Sequence, residues 1–133
     1  MELVVDANIL FSALIRKGLT AELLFEDGFR LYVPEYILEE FFEHEPLILE
    51  KTSRTREEFI QIMHTLKEVI IVIPKEEYLD LMMEAEKISP DPADTIYFAL
   101  ALKLGCGIWS NDKKLKNQKK VKVYSTEEVL EFV

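Results

Sequence analysis

Apolar positions along the chain follow two alternating rhythms. Short unbroken apolar runs at Glu2–Val5 (ELVV), 30–33, 69–73, 107–110 and 121–124 read as strands buried on both faces. Between them, apolar residues recur at helical spacing over 8–14, 21–26, 35–49, 55–66, 75–88, 93–104 and 126–133. The punctuation agrees with these limits. Gly18 breaks the first helix, Gly28 ends the second and Pro34 stops the second strand. Thr20 is placed to cap the second helix and Thr126 the last. Thr55, with Glu58 three residues on, forms a capping-box pattern. Pro90 and Pro92 bracket a turn. Strands alternating with helices predict an α/β fold: one domain over residues 1–133, a three-layer α/β/α sandwich around a mostly parallel five-stranded sheet. No internal repeat, low-complexity stretch or interdomain linker interrupts the pattern.

Composition narrows the class. The chain has 133 residues, 49% of them apolar, which supports a real core and excludes global disorder. A single cysteine, Cys106, excludes an internal disulfide framework and fits a reducing compartment. The first residues carry no signal-peptide pattern, and no apolar run approaches the ~20 residues of a membrane span. A soluble, cytoplasmic protein is expected, with no membrane partner. The net charge of -9 argues against nucleic acid if taken as a sum. Its distribution changes that picture. Lys113, Lys114, Lys116, Lys119, Lys120 and Lys122 follow one another with no acid between them. They read either as a solvated basic loop or as a phosphate-contacting patch, because the run starts directly after Asp112. Arg16 and Lys17, after the first helix, add positive charge elsewhere.

The acids carry the candidate chemistry. In an open parallel sheet, ligands bind beyond the carboxyl ends of the strands. Asp6 ends the first strand, with Asn8 two residues on, and Asp112 follows the fourth in Trp109-Ser110-Asn111-Asp112. Both should emerge at one edge. Asp94 lies in the first turn of an apolar helix, after Asp91 and Pro92. Glu40 lies beside the apolar stripe of its helix. Each has an ordinary reading as well: an N-cap for Asp6, complement to a helix dipole for Asp94, a solvated face for Glu40. As a set they mean more. Carboxylates ~4 Å apart repel by ~4 kcal/mol per pair at an effective dielectric of 20, so such a cluster needs protons or a cation. All-oxygen ligands suit Mg²⁺ or Mn²⁺ rather than zinc, and Cys106, His44 and His64 make no ligand-spaced pair. The histidines are expected on helix surfaces, Cys106 and Trp109 in core or edge packing. Tyr36, Phe42 and Tyr78 are open between a partner surface and the core, with the core favoured for Phe42.

Together these residues resemble the PIN-domain family of metal-dependent ribonucleases. The resemblance rests on Val-Val-Asp6-Ala-Asn8-Ile-Leu, Leu38-Glu39-Glu40-Phe41, Asp91-Pro-Ala-Asp94-Thr-Ile-Tyr-Phe-Ala-Leu-Ala101 and Ile108-Trp-Ser110-Asn111-Asp112-Lys113-Lys114-Leu115. It spans nearly the whole chain in the family's order. It implies a sheet of order 3-2-1-4-5, and one or two Mg²⁺ or Mn²⁺ ions on Asp6, Glu40, Asp94 and Asp112. Asn8, Ser110 and Asn111 look like supporting positions, and Asp91 like an additional acid. Glu39 is the alternative to Glu40. It also implies endoribonuclease activity, with Arg16, Lys17, Lys113, Lys114 and Lys116 as candidate RNA contacts. Small family domains of this length resemble the toxin halves of prokaryotic toxin–antitoxin pairs, which implies a homodimer and a cognate antitoxin.

Other functions need residues that this chain lacks. A haloacid-dehalogenase-type phosphatase wants a second Asp two residues after the first, where Asn8 stands. A receiver-like signalling domain wants an Asp after the third strand, which here ends in Ile73-Pro74-Lys75. A non-toxin RNA-processing nuclease, or a PIN-like binding module with weak catalysis, shares the same acids. Intact acids argue against the binding module, which an activity assay decides, and a small upstream gene encoding a DNA-binding protein would support the toxin reading.

Overall fold

The structure is a computed structural model that describes residues 1–133 with the exception of Lys17. Five strands form one sheet: β1 (Glu2–Val5), β2 (Arg30–Pro34), β3 (Ile70–Ile73), β4 (Gly107–Trp109) and β5 (Val123–Tyr124). Their order is β3-β2-β1-β4-β5, and every neighbouring pair is parallel. β1 is central. Leu3, Val4 and Val5 are fully buried, which explains an apolar run with no in/out alternation.

The helices are α1 (Ala7–Ile15), α2 (Leu19–Leu24), α3 (Glu35–Glu43), α4 (Glu45–Thr52), α5 (Arg56–Val69), α6 (Met82–Ile88), α7 (Thr95–Leu104) and α8 (Thr126–Leu130). The chain winds outward from β1 to β3, then crosses back to β4 and winds the other way. Right-handed crossovers on such a path put helices on both faces of the sheet, as the alternation predicts. No helix among the described residues is long and apolar enough to cross a membrane.

Local departures have local causes. The helix predicted over 35–49 is two helices broken at His44. Pro46 has no N–H to give the carbonyl four residues back, and its ring crowds that carbonyl. The segment predicted as helical over 75–88 opens with two short 3₁₀ turns, Lys75–Glu77 and Leu79–Leu81, and becomes α-helical only at Met82. Ser125, not Thr126, caps α8, because its hydroxyl reaches the Glu128 N–H in a complete capping box. Gly18, not Thr20, takes the N-cap position of α2. The capping box of Thr55 and Glu58 forms as its spacing predicts. Phe42 is not core. It is 45% exposed, set edge-on against Phe59 with the Lys67 ammonium over its ring. Tyr78 is buried, Tyr36 is exposed, and His44 and His64 lie on the surface. Trp109 is fully buried and Cys106 half-buried.

β4 and β5 meet over a glycine. A Cβ on Gly107 would stand 2.8 Å from the Tyr124 ring and 2.9 Å from the Lys122 carbonyl oxygen. Gly107→Ala must therefore push β5 away. It should cost roughly 1–3 kcal/mol in urea unfolding, the range for overpacking a tight site. An unchanged midpoint would mean that β5 yields freely.

Candidate active site

The order β3-β2-β1-β4-β5 reverses direction between β1 and β4, and the crevice at their carboxyl ends is the topological switch point. The pairing Val5↔Trp109 fixes what meets there. The next residue on each strand is Asp6 and Ser110, and the Asp6 N–H donates to the Trp109 carbonyl at 3.2 Å. Both side chains are buried, Asp6 at 4% exposure.

Asp6 has two duties. One oxygen accepts the Ile9 N–H at 2.9 Å and so caps α1. The carboxylate is also bound by the Ser110 hydroxyl. Burial raises the Asp6 pKa, the Ser110, Ile9 and Asn8 hydrogen bonds oppose that rise, and the Asp112 charge adds to it. Asn8 therefore contributes through its backbone, while its side chain is exposed.

Ser110 ties two acids together, because its Oγ also accepts the Asp112 N–H at 3.1 Å. The exposed Asp112 carboxylate accepts the Lys114 N–H at 3.0 Å and starts a 3₁₀ turn over Lys113–Lys116. Asn111 is a brace. Its Nδ2 donates to Thr126 Oγ1 at 2.9 Å and its Oδ1 accepts the Thr126 N–H at 2.7 Å, while Trp109 Nε1 donates to the same hydroxyl at 3.1 Å. The end of β4 is thereby locked to the start of α8.

The other acids come from α7 and α3. Asp94 stands at the N-cap of α7, one residue before the helix, and its side chain makes no capping bond. The carboxyl is half-buried and pushed up to about 6 by burial first, then by the charges of Asp91, Asp112 and Asp6; Lys114 alone pulls it down. Asp91 spends one oxygen on the Ala93 N–H at 2.9 Å. On α3, Glu40 is half-buried and Glu39 exposed, and the Tyr36 hydroxyl hydrogen-bonds Glu40.

A residue that the sequence does not single out sits among them. Tyr97, one turn after Asp94, is 5% exposed, and its hydroxyl accepts the Ala7 N–H at 3.0 Å. Burial holds its pKa well above the usual phenol range, and the charges of Asp6, Asp94 and Glu40 push the same way. One buried hydroxyl thus senses carboxylates from three elements distant in sequence. The i, i+3 spacing from Asp94 was the available signal, hidden in an apolar helix where an aromatic reads as core.

Among the described residues, no three His, Cys, Asp or Glu side chains form a ready metal cage. The donor chemistry nonetheless fits a hard cation. The donors are all carboxylate oxygens, the charges of Asp6 and Asp112 raise Asp94, the Asp112 charge raises Asp6, and a single lysine offsets Asp94. Mg²⁺ commonly takes only one or two carboxylates and completes its shell with water and substrate phosphate.

Beside these acids lies a cleft of about 750 Å³, which shares Ser110 and Asp112 with them and is lined by Arg16, Lys113 and Lys116. Lys116 forms an ion pair with Glu128. Lys114 lies nearer Asp94 than the cleft. Lys17, the remaining cation of the sequence reading, falls outside the described residues.

A parallel α/β domain with convergent acids at its switch point belongs to the class built to bind phosphate-bearing or cationic ligands there. The model of the PIN domain family matches residues 4–131, and the chain belongs to that family. PIN domains are generally nucleases that act on nucleic acid, commonly with divalent metal. Comparison with curated proteins gives no match.

Proposed function

We propose that this chain is an endoribonuclease that hydrolyses RNA phosphodiester bonds with Mg²⁺ or Mn²⁺ held by Asp6, Glu40, Asp94 and Asp112. The observation that carries the reading is the convergence of acids at the switch point: Asp6 and Asp112 are joined through Ser110, and Asp94 is close enough to feel the charges of Asp91, Asp112 and Asp6. Carboxylates from three elements crowd one place, and their own positive neighbours do not neutralise them. Asp6, Glu40, Asp94 and Asp112 would hold the divalent ion, which would supply positive charge against the phosphate and the attacking water.

The protein's own groups provide the rest. Ser110 and the Ile9 N–H fix the Asp6 carboxylate in orientation before substrate arrives. Asp112 is fixed through its own N–H by Ser110. Glu40 either completes the ligand set or orients the attacking water, steadied by Tyr36. Asn8 and Ser110 act on these acids through hydrogen bonds and Asp91 through its charge, while Asn111 supports them from behind by bracing the end of β4 against Thr126. Cations at Arg16, Lys17, Lys113, Lys114 and Lys116 offset the repulsion between RNA and a protein of net charge -9. The finer reading is the toxin component of a cytoplasmic toxin–antitoxin pair, acting as a homodimer. It rests on the small size of the domain, and a small upstream gene for a DNA-binding partner would support it.

The test is incubation of purified protein with end-labelled single-stranded RNA. Internal cleavage is expected with Mn²⁺ or Mg²⁺ and none in EDTA. RNA that is bound but uncut would leave a binding module. An aspartyl-phosphate on Asp6 would mean a phosphatase.

A further inference from the structure

The cleft beside the acids has a composition that the acids do not explain. It lies between α1–α2 on one side and the segment following β4 with the start of α8 on the other. Many of its polar groups are already committed. Thr126 is held by Trp109 and Asn111, Ser125 caps α8, and Lys116 is paired with Glu128. Removing these leaves a different picture. Among the described residues, the side chains of Ser12, Arg16, Thr20, Lys113 and Glu127 line the cleft without a hydrogen-bond or ion-pair partner from the protein. Two are cations and two are hydroxyls, and the one anion, Glu127, is an exposed residue of α8 at the rim. Leu19, 41% exposed, supplies an apolar wall between them.

We infer that this cleft is a subsite for one unpaired nucleotide of the RNA strand, next to the bond that is cut. The inference rests on the nuclease reading for its role, though not for its chemistry. Arg16 and Lys113 would take the phosphate, the two hydroxyls the sugar, and Leu19 an apolar face of the nucleoside. Among the described residues, no aromatic ring lines the cleft to stack a base, so Leu19 supplies apolar contact only, and recognition falls on the phosphate and sugar. A volume of about 750 Å³ lies in the range of small-ligand sites and suits one or two nucleotides. A duplex keeps its bases paired and stacked and cannot place a single nucleotide in such a cleft. The position matters as much as the size. Ser110 and Asp112 belong both to this cleft and to the acid cluster, so a nucleotide seated here has its phosphate link at the acids.

The test is a titration of the whole protein with adenosine 5′-monophosphate in EDTA, where nothing is cut, followed by amide chemical shifts. Shifts are expected at Ser12, Leu19, Thr20 and Lys113. The double substitution Arg16→Ala, Lys113→Ala should weaken binding at least tenfold. In the single-stranded RNA complex, each cation removed should lower the salt slope by about 0.7. Thr20→Trp, which fills the cleft from the exposed side of α2, should raise KM for single-stranded RNA with little change in kcat. Shifts confined to residues outside the cleft, or unchanged affinity in both variants, would overturn the subsite. Nucleotide in the cleft but RNA uncut with Mn²⁺ would overturn the nuclease reading and leave the subsite standing. RNA cut at wild-type KM by Thr20→Trp would do the reverse.

Discussion

Asp6→Asn is expected to lower RNA cleavage at least about a hundredfold and to leave the protein as stable as before, or more so. The two halves have one cause. Losing a partner behind a metal ligand typically costs 10–100-fold in affinity or activity, so losing a direct ligand should cost no less. The fold loses little, because Asn caps helices about as well as Asp and its side-chain oxygen can still accept the Ile9 N–H. What disappears is a buried negative charge whose pKa is raised in the folded state. A group so raised is less costly to bury when neutral, so at neutral pH the amide should not be worse and should gain where the carboxylate was strained. The measurement is paired: initial cleavage rate with Mn²⁺, and thermal midpoint in EDTA on the same sample. Full activity in a folded variant would remove Asp6 from the chemistry. A collapsed midpoint would mean that the fold depends on the carboxylate itself, through contacts such as that with Ser110 that an amide does not replace.

That double role shows where the sequence is legible and where it is not. The strands are readable because a sheet covered on both faces needs continuous apolar runs, and β1 to β4 follow theirs to within a residue or two. The placement of Asp6 beside Ser110 follows almost automatically, since both end adjacent strands. The unreadable parts depend on interactions between distant segments. Nothing near Phe42 announces that Lys67, on another helix, will cover its ring and leave it at the surface. Nothing near Tyr97 announces that its hydroxyl will meet the N–H of Ala7, ninety positions away. Asn111 is legible as a polar residue near the acids, but its work is to hold Thr126, not to face substrate. The break at His44 is a different matter. Pro46 is visible in the sequence, but apolar residues at helical spacing run on past it and mask the break.

The basic run was half legible in the same way. Six lysines in a row of ten residues announce positive charge, but not where each one goes. Lys116 is drawn to Glu128, whose carboxyl it holds down at about 2. Lys114 turns toward Asp94, and Lys113 faces the cleft. One local sequence thus serves a structural pair, an electrostatic counterweight to the acids and a contact surface. A 3₁₀ turn eclipses side chains three apart, so Lys113 and Lys116 share the cleft side and Lys114 does not; the ion pair with Glu128 then separates Lys116 from Lys113.

Melting temperature against pH, with and without divalent ion, gives the second large effect. Asp94 has an ordinary value of 3.8 and is pushed up to about 6 in the folded chain, and Asp6 moves in the same direction. The folded state therefore binds protons more tightly than the unfolded one. That contribution is fully present below 3.8 and is lost as pH rises through about 6. Glu128 has the opposite sign: lowered from 4.5 to about 2, it stabilises above 4.5 and fails only in stronger acid. From about pH 4.5, where the Glu128 contribution is complete, up through about 6 the raised carboxylates should dominate, so in EDTA the midpoint should fall across this window and level off above it. Asp94→Asn should flatten the fall. Mn²⁺ should reverse it, because its ligands must be ionised and it binds the folded chain far better at the alkaline end. At a hundredfold excess over Kd the gain is about 2.7 kcal/mol, or roughly 10 °C for a domain of this size. A midpoint flat in EDTA and indifferent to Mn²⁺ at both ends of the window would mean that these acids neither crowd one another nor gather an ion.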